Sequence, residues 1–316
     1  MVVELIAVCK EIIIKCLGLK QGELFLVVTD DEKKKLAEAL YQAGKALGAE
    51  SMLFVMNDRL KSGEEPPKPV AAALVAADAA ICITGHSMTH TQAKKMAVAS
   101  GTRVATMPGI SEDMFLEGAI TADYAQVSRL TRDVTKRLDQ GKQVVIEKDG
   151  HTLTFSIDGR QGVPSTGVYL HPSESGNLPS GEAFIAPVEG SAEGELLVDG
   201  SVVGVGCLTQ PLLLTIEKGR LVRAEGQGSD QLLEILGDGL GRNVAEFGIG
   251  TNRWARLTGN VLEDEKVYGT VHIAFGSNMT FGGEVEAGVH IDCVFRSPNV
   301  TIDDDQLMEK GNIPFA

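Results

Sequence analysis

The spacing of apolar positions changes character near Gly141. Before that point, short continuous apolar runs alternate with amphipathic stretches. After it, apolar and polar residues alternate over short spans broken by turn dipeptides. Glu23–Val28 (ELFLVV) reads as a buried strand, and Thr29-Asp30-Asp31 supplies a turn and the N-cap of a helix over 32–47, with Gly48 as its stop. Ser51–Met56 is a second buried strand, so the segment forms a βαβ unit with parallel pairing. The pattern repeats with a helix around Val70–Ala77, strand Ala79–Thr84, a helix around Thr89–Ala99 and strand Arg103–Met107. Residues 1–20 open this half as an amphipathic helix, and a long helix over 123–138 closes it.

The second half predicts antiparallel pairing. Lys142–Glu147 and Thr152–Ile157 flank Asp149-Gly150, a hairpin signal. Further short strands are separated by Asp199-Gly200 and Lys218-Gly219, with one helix over 229–240. The fold class expected is therefore a doubly wound parallel α/β domain, residues 1–141, followed by a mainly antiparallel, β-rich α+β domain, residues 142–316. The loop 57–69 carries KSGEEPPKP and reads as exposed.

Composition narrows the function classes. The net charge of −14 argues against a nucleic-acid partner, which needs clustered Lys and Arg to neutralise phosphates. The short basic runs at 33–35 and 94–95 fall on helix faces and read as solvated surface. Five cysteines, an odd number without a CxxC pair and mostly in apolar segments, point to buried reduced thiols and a cytoplasmic setting. The N-terminal stretch lacks a basic start and a small-residue cleavage site, and the apolar run 70–83 is interrupted by Asp78. Neither a signal peptide nor a membrane partner is expected.

Residues 243–295 hold the chemistry. Glu246 in NVAEF, His272 in TVHIAF, and His290 and Asp292 in VHIDCVF intrude on segments that otherwise read as buried strand. Buried charge is normally paired or metal-bound. In a strand, residues i and i+2 share a face, so His290 and Asp292 project side by side. Glu246 and His272 join them if their strands are neighbours, and imidazole plus carboxylate is the ligand set of Zn, Mn, Co and non-haem Fe sites. The plainer alternative is that hydrogen bonds satisfy each residue separately. Glu182 follows the NLPSG turn at the start of an apolar strand, where an exposed residue would also be ordinary. The acidic run 303–305 reads as a solvated turn.

Taken in order, NLPSGEAFIAP, NVAEFGIGTN, LEDEKVYGTVHIAFG and VHIDCV resemble the aminopeptidase T and aminopeptidase S family of metallopeptidases. The motifs span most of residues 170–295. The resemblance implies an α/β N-terminal domain, a β-rich C-terminal domain bearing the metals, and a homodimer. It implies two divalent ions (Zn, Co or Mn) held by Glu182, Glu246, His272, His290 and Asp292. It implies Glu265 in LEDEK as general base, at a somewhat longer spacing from His272 than in the family. The activity implied is removal of N-terminal residues from peptides by a metal-activated water.

One position departs from that pattern. The peptidases carry a tyrosine shortly after the first metal histidine to stabilise the oxyanion, and here that position is Met279. A thioether cannot donate this hydrogen bond. The dihydroxypyridine ring-cleaving dioxygenases resemble the same peptidases and use one Fe(II) held by two histidines and a carboxylate, for which His272, His290 and Asp292 serve. His86, His90 and His171 are then candidates on the substrate side, His86 and His90 because they follow a parallel strand. A third alternative is a non-catalytic binding protein whose ligands saturate the metal.

Overall fold

A computed structural model of the chain describes residues 2–315. Met1, where the expected first helix begins, and Ala316, the last residue of the second domain, lie outside them. The chain divides into two compact units, Met1–Ala125 with Gly167–Ser180, and Gln126–Thr166 with Gly181–Ala316.

The first unit is built on a five-stranded parallel sheet. Its strands, in spatial order, are Glu50–Met56, Leu24–Asp30, Ala79–Ile83, Arg103–Thr106 and Ser175–Asn177. Helices Lys34–Ala46, Lys68–Ala76 and Gln92–Ala99 make the crossovers. Burial on both faces explains the unbroken apolar runs in these strands. Leu26, Val28, Val70, Leu74, Ala80, Cys82, Ala97 and Val104 form the core on one side. Gly44 is required for close packing of its helix, since a Cβ there would lie 2.4 Å from the Phe25 ring. The first helix runs as α-helix over Val2–Ile12 and widens to a π-turn over Ile13–Leu17 before Gly18 ends it with φ 55°.

The second unit holds two seven-stranded sheets. Every pairing in them is antiparallel. One runs outward from the hairpin of Gln143–Lys148 and His151–Ser156, whose turn residues Asp149 (φ 49°) and Gly150 (φ 87°) have the left-handed conformation of a tight hairpin. The other centres on Val244–Gly250, Thr270–Gly276 and His290–Arg296. Their inner faces share one core, in which Phe155 of the first sheet meets Phe247 of the second edge-on with centroids 5.2 Å apart. Each such side chain removed from water contributes about 1.5–3 kcal/mol.

The boundary expected at Gly141 is displaced, for two physical reasons. The helix Tyr124–Gln140 sends Val134 and Leu138 into the core of the second unit. The strand Ser175–Asn177 pairs with Arg103–Thr106 and so returns to the first sheet. Asp199-Gly200 lies between strands of different sheets, with Glu193–Val198 in one and Ser201–Val202 in the other. The acidic run is a turn, and the Asp303 carboxylate accepts from the amides of Lys142 and Gln143 at 2.8 Å each. No helix among the described residues is long and apolar enough to cross a membrane.

Candidate metal centre

Three adjacent strands carry the donors. Val244–Gly250 pairs with Thr270–Gly276, and that strand pairs with His290–Arg296. The register sets Glu246 against Ala274 and Ala274 against Asp292, with His272 opposite Gly248. The short strand Glu182–Ile185 joins the other edge, with Glu182 opposite Gly250. Opposed residues and residues two apart point to one side, so Glu182, Glu246, His272, His290 and Asp292 all lie on one face. The opposite face carries Phe247, Ile249, Val271, Ile273, Phe275, Cys293 and Phe295 into the core. The alternation is what allows rigid strands to be hydrophobic behind and charged in front.

Small residues clear the floor of the site. A Cβ on Gly248 would lie 2.0 Å from Nε2 of His272, so only glycine lets the imidazole lie across its neighbour. A Cβ on Gly250 would lie 2.0 Å from the carbonyl oxygen of Val267, so Gly250 admits the segment that carries Glu265 and Lys266.

The side chains converge. His272 Nε2 stands 3.2 Å from Glu246 Oε1 and 3.6 Å from Glu182 Oε2. His290 Nε2 stands 3.3 Å from Glu246 Oε2 and 3.6 Å from Asp292 Oδ1. His290 Nδ1 lies 2.8 Å from the carbonyl oxygen of Ser277, to which it donates, so that in the neutral ring Nε2 carries the lone pair. His272 is wholly buried, whereas the His290 side chain is 32 % exposed and forms the open edge of the cluster.

Glu265 and Lys266 complete the cluster. The Lys266 ammonium has no exposed surface, bonds Glu182 Oε1 at 3.0 Å and contacts Glu265. The preceding acidic residues are not a solvated turn. Asp264 is buried and accepts from the amides of Thr258 and Gly259 at 2.6 and 2.9 Å, and buried Glu263 accepts from the amide of Arg256 at 3.1 Å. Lys266 escaped sequence reasoning because a lysine after three acidic residues looks solvated. The available signal was Val267, which begins the apolar run leading into the His272 strand.

The electrostatics are those of buried charges that hold one another. Burial alone would raise the Asp292 carboxyl, but His290 beside it, followed by His272 and Lys266, brings it down to about 2. Burial would likewise lower His272, yet Glu246, Glu182 and Asp292 bring it up to about 9. His290 is raised well above its usual value against burial by Asp292 and Glu246. Glu265 is pushed up to about 8 by burial and the charge of Glu182, with Lys266 opposing.

The donor set fits a cation. Ligand atoms of Glu246, His272 and Asp292 lie within 4.8 Å of one another, as do those of Glu182, Glu265 and His272. One wholly buried oxygen that faces His272 Nε2, Glu182 Oε2, lacks a hydrogen-bond partner. Such an orphan is costly unless another ligand satisfies it.

The other expected residues are not on the strands that carry the donors. His86 and His90 sit at exposed positions between strand Ala79–Ile83 and helix Gln92–Ala99, and His171 is exposed before strand Ser175–Asn177, all in the first unit. Met279 is 54 % exposed.

A family model described as NicX, 2,5-dihydroxypyridine 5,6-dioxygenase, matches residues 4–314. The chain belongs to the NicX family. No curated protein matches the sequence. Among solved structures, 2,5-dihydroxypyridine dioxygenase from Pseudomonas putida KT2440 is 18 % identical, with a TM-score of 0.82 over 99 % of this chain and 97 % of that one. Wild-type AmpT from Thermus thermophilus is also 18 % identical, with a TM-score of 0.71 over 98 % of this chain and 99 % of that one. Both likenesses establish the shared two-part fold. The NicX match places the chain with the family whose resemblance was the more distant by motif, and the peptidase likeness remains one of architecture.

Proposed function

We propose that the protein is an Fe(II)-dependent dioxygenase that opens a small dihydroxylated nitrogen heterocycle, with 2,5-dihydroxypyridine as the reference substrate. What carries this reading is the set His272, His290 and Asp292 on adjacent strands, in a chain matched to the NicX family over residues 4–314. Two imidazoles and one carboxylate with open positions are the ligand set of non-haem Fe(II) oxygenases. An Fe(II) ion held by these residues would supply a redox-active Lewis acid.

The chain's own residues bind, orient and move protons. The carbonyl of Ser277 fixes the tautomer and plane of His290. Phe281 stands edge-on to His290 at 5.9 Å and to Phe184 at 5.4 Å, forming an apolar wall beside the exposed donor that suits a flat ring. Glu246 braces both imidazoles. Glu265, in contact with the Lys266 ammonium beside Glu182, is assigned to proton transfer, the kind of role the peptidase resemblance gave it.

A second reading, a two-metal aminopeptidase-like hydrolase, draws support from the additional donor group Glu182, Glu265 and His272. Met279, in place of a tyrosine donor, weighs against it. One assay separates the two. Protein loaded anaerobically with Fe(II) and given 2,5-dihydroxypyridine is expected to consume one O2 per ring lost, and to release no arylamine from aminoacyl-arylamides. Arylamine release with Zn, Co or Mn, without oxygen uptake on the pyridine, would reverse the assignment.

A further inference from the structure

The cluster contains two overlapping sets of donors that share His272. Glu246, His272 and Asp292 form one, and Glu182, Glu265 and His272 form the other. The second set is already engaged by a cation belonging to the chain. Lys266 Nζ bonds Glu182 Oε1 at 3.0 Å and contacts Glu265, and the lysine side chain has no exposed surface.

The lysine is held there by its backbone. Its amide bonds the carbonyl of Glu263 at 3.0 Å, its own carbonyl accepts from Asn252 at 2.9 Å, and Gly250 gives the next residue room to lie against the sheet. An ammonium between two buried carboxylates cannot share them with a divalent ion without strong repulsion, because in a site closed to water little screens the two charges.

We propose that Lys266 takes the place of a second metal ion, so that the centre binds one divalent cation at the group Glu246, His272 and Asp292 with His290 at its open edge, and Glu182 and Glu265 act as counter-ions of the lysine. The inference rests on the reading of His272, His290 and Asp292 as the metal site. It makes Lys266 a positioning residue that fixes the metal count. It also gives a physical basis for one scaffold carrying either one metal or two, since removing a single side chain frees the carboxylates of Glu182 and Glu265 beside the first ion.

The test is a metal count on the full chain. Protein saturated with Co(II) is dialysed, and bound cobalt per chain is measured by plasma mass spectrometry together with the visible spectrum. The wild type is expected to hold one ion, Lys266→Arg one, and Lys266→Ala two, with the absorption of a second Co(II) site appearing only in the alanine variant. Two ions in the wild type would overturn the proposal, as would a folded Lys266→Ala that stays at one. If the alanine variant does not fold, the wild-type count decides, with one ion in support and two against. A wild type with no bound metal would overturn the metal-site reading itself. Failure to turn over dihydroxypyridine with one ion bound would leave the count standing and remove only the substrate assignment.

Discussion

At the scale of single residues, the site depends on a side chain that is absent. Gly248 leaves the space that the His272 ring occupies, and a methyl group there would lie 2.0 Å from Nε2. Gly248→Ala is therefore expected to rotate or expel the imidazole although no ligand is touched. Overpacking of this kind costs about 1–3 kcal/mol. The expected outcome is a folded protein with a lowered melting temperature and at least a tenfold weaker metal affinity, read by calorimetry and metal titration. Unchanged affinity would mean that His272 does not need its present plane. The grouping of these side chains was partly legible in the sequence. The two-residue spacing puts His290 beside Asp292, and charge inside VHIDCVF has few explanations. Lys266 and the burial of Glu263 and Asp264 were not legible, because their satisfaction depends on Glu182 and on loop amides that only the fold delivers.

At the scale of elements, the segment after the His272 strand is tied down by one carboxylate. Glu189 accepts from Asn278 Nδ2 at 2.8 Å and from the Glu284 amide at 2.9 Å, and it pairs with Arg160. Burial pushes this carboxyl up, but the amides, Asn278 and Arg160 outweigh it and hold the value below the usual range. A depressed folded-state value gives stability that is present above the unfolded value of about 4.3 and is lost as the pH falls through the lower folded value. Hydrogen bonds to a charged group contribute about 2 kcal/mol. Glu189→Gln is thus expected to speed amide exchange over residues 277–288 at pH 7, and the gap from wild type should close as both are acidified below about pH 4. A gap that persists in acid would assign the effect to packing. Element prediction fared well where periodicity is strong, as in the crossover helices and the 149–150 hairpin. It placed the domain boundary wrongly because an amphipathic helix does not declare which core it faces. The dipeptides 199–200 and 218–219 read alike, yet the latter closes a hairpin and the former changes sheets.

At the scale of the whole molecule, a bound metal would couple to the fold through one unit. All the donors lie on strands and loops of the second unit. An ion that binds only the folded state adds about 2.7 kcal/mol at a hundredfold excess over its dissociation constant. Chelation is therefore expected to lower the melting transition of the second unit and increase exchange in Thr270–Gly276 and His290–Arg296. Exchange in Leu24–Asp30 of the first unit should stay as it was. Equal loosening of both units would show that the metal acts on something other than these three strands. The two-part architecture was readable from the change of period along the chain. The choice between oxygen chemistry and hydrolysis stayed open, because the strand motifs are common to both.

The sheet that presents the donors has a back made of Phe247, Ile273, Phe275, Cys293 and Phe295. Exchanging one of these for a bulkier or slimmer neighbour would tilt a strand by a fraction of its pleat and carry a histidine with it. The reactivity of such a centre can thus be retuned over generations from its hidden side, while the inventory of ligands visible in the sequence stays the same.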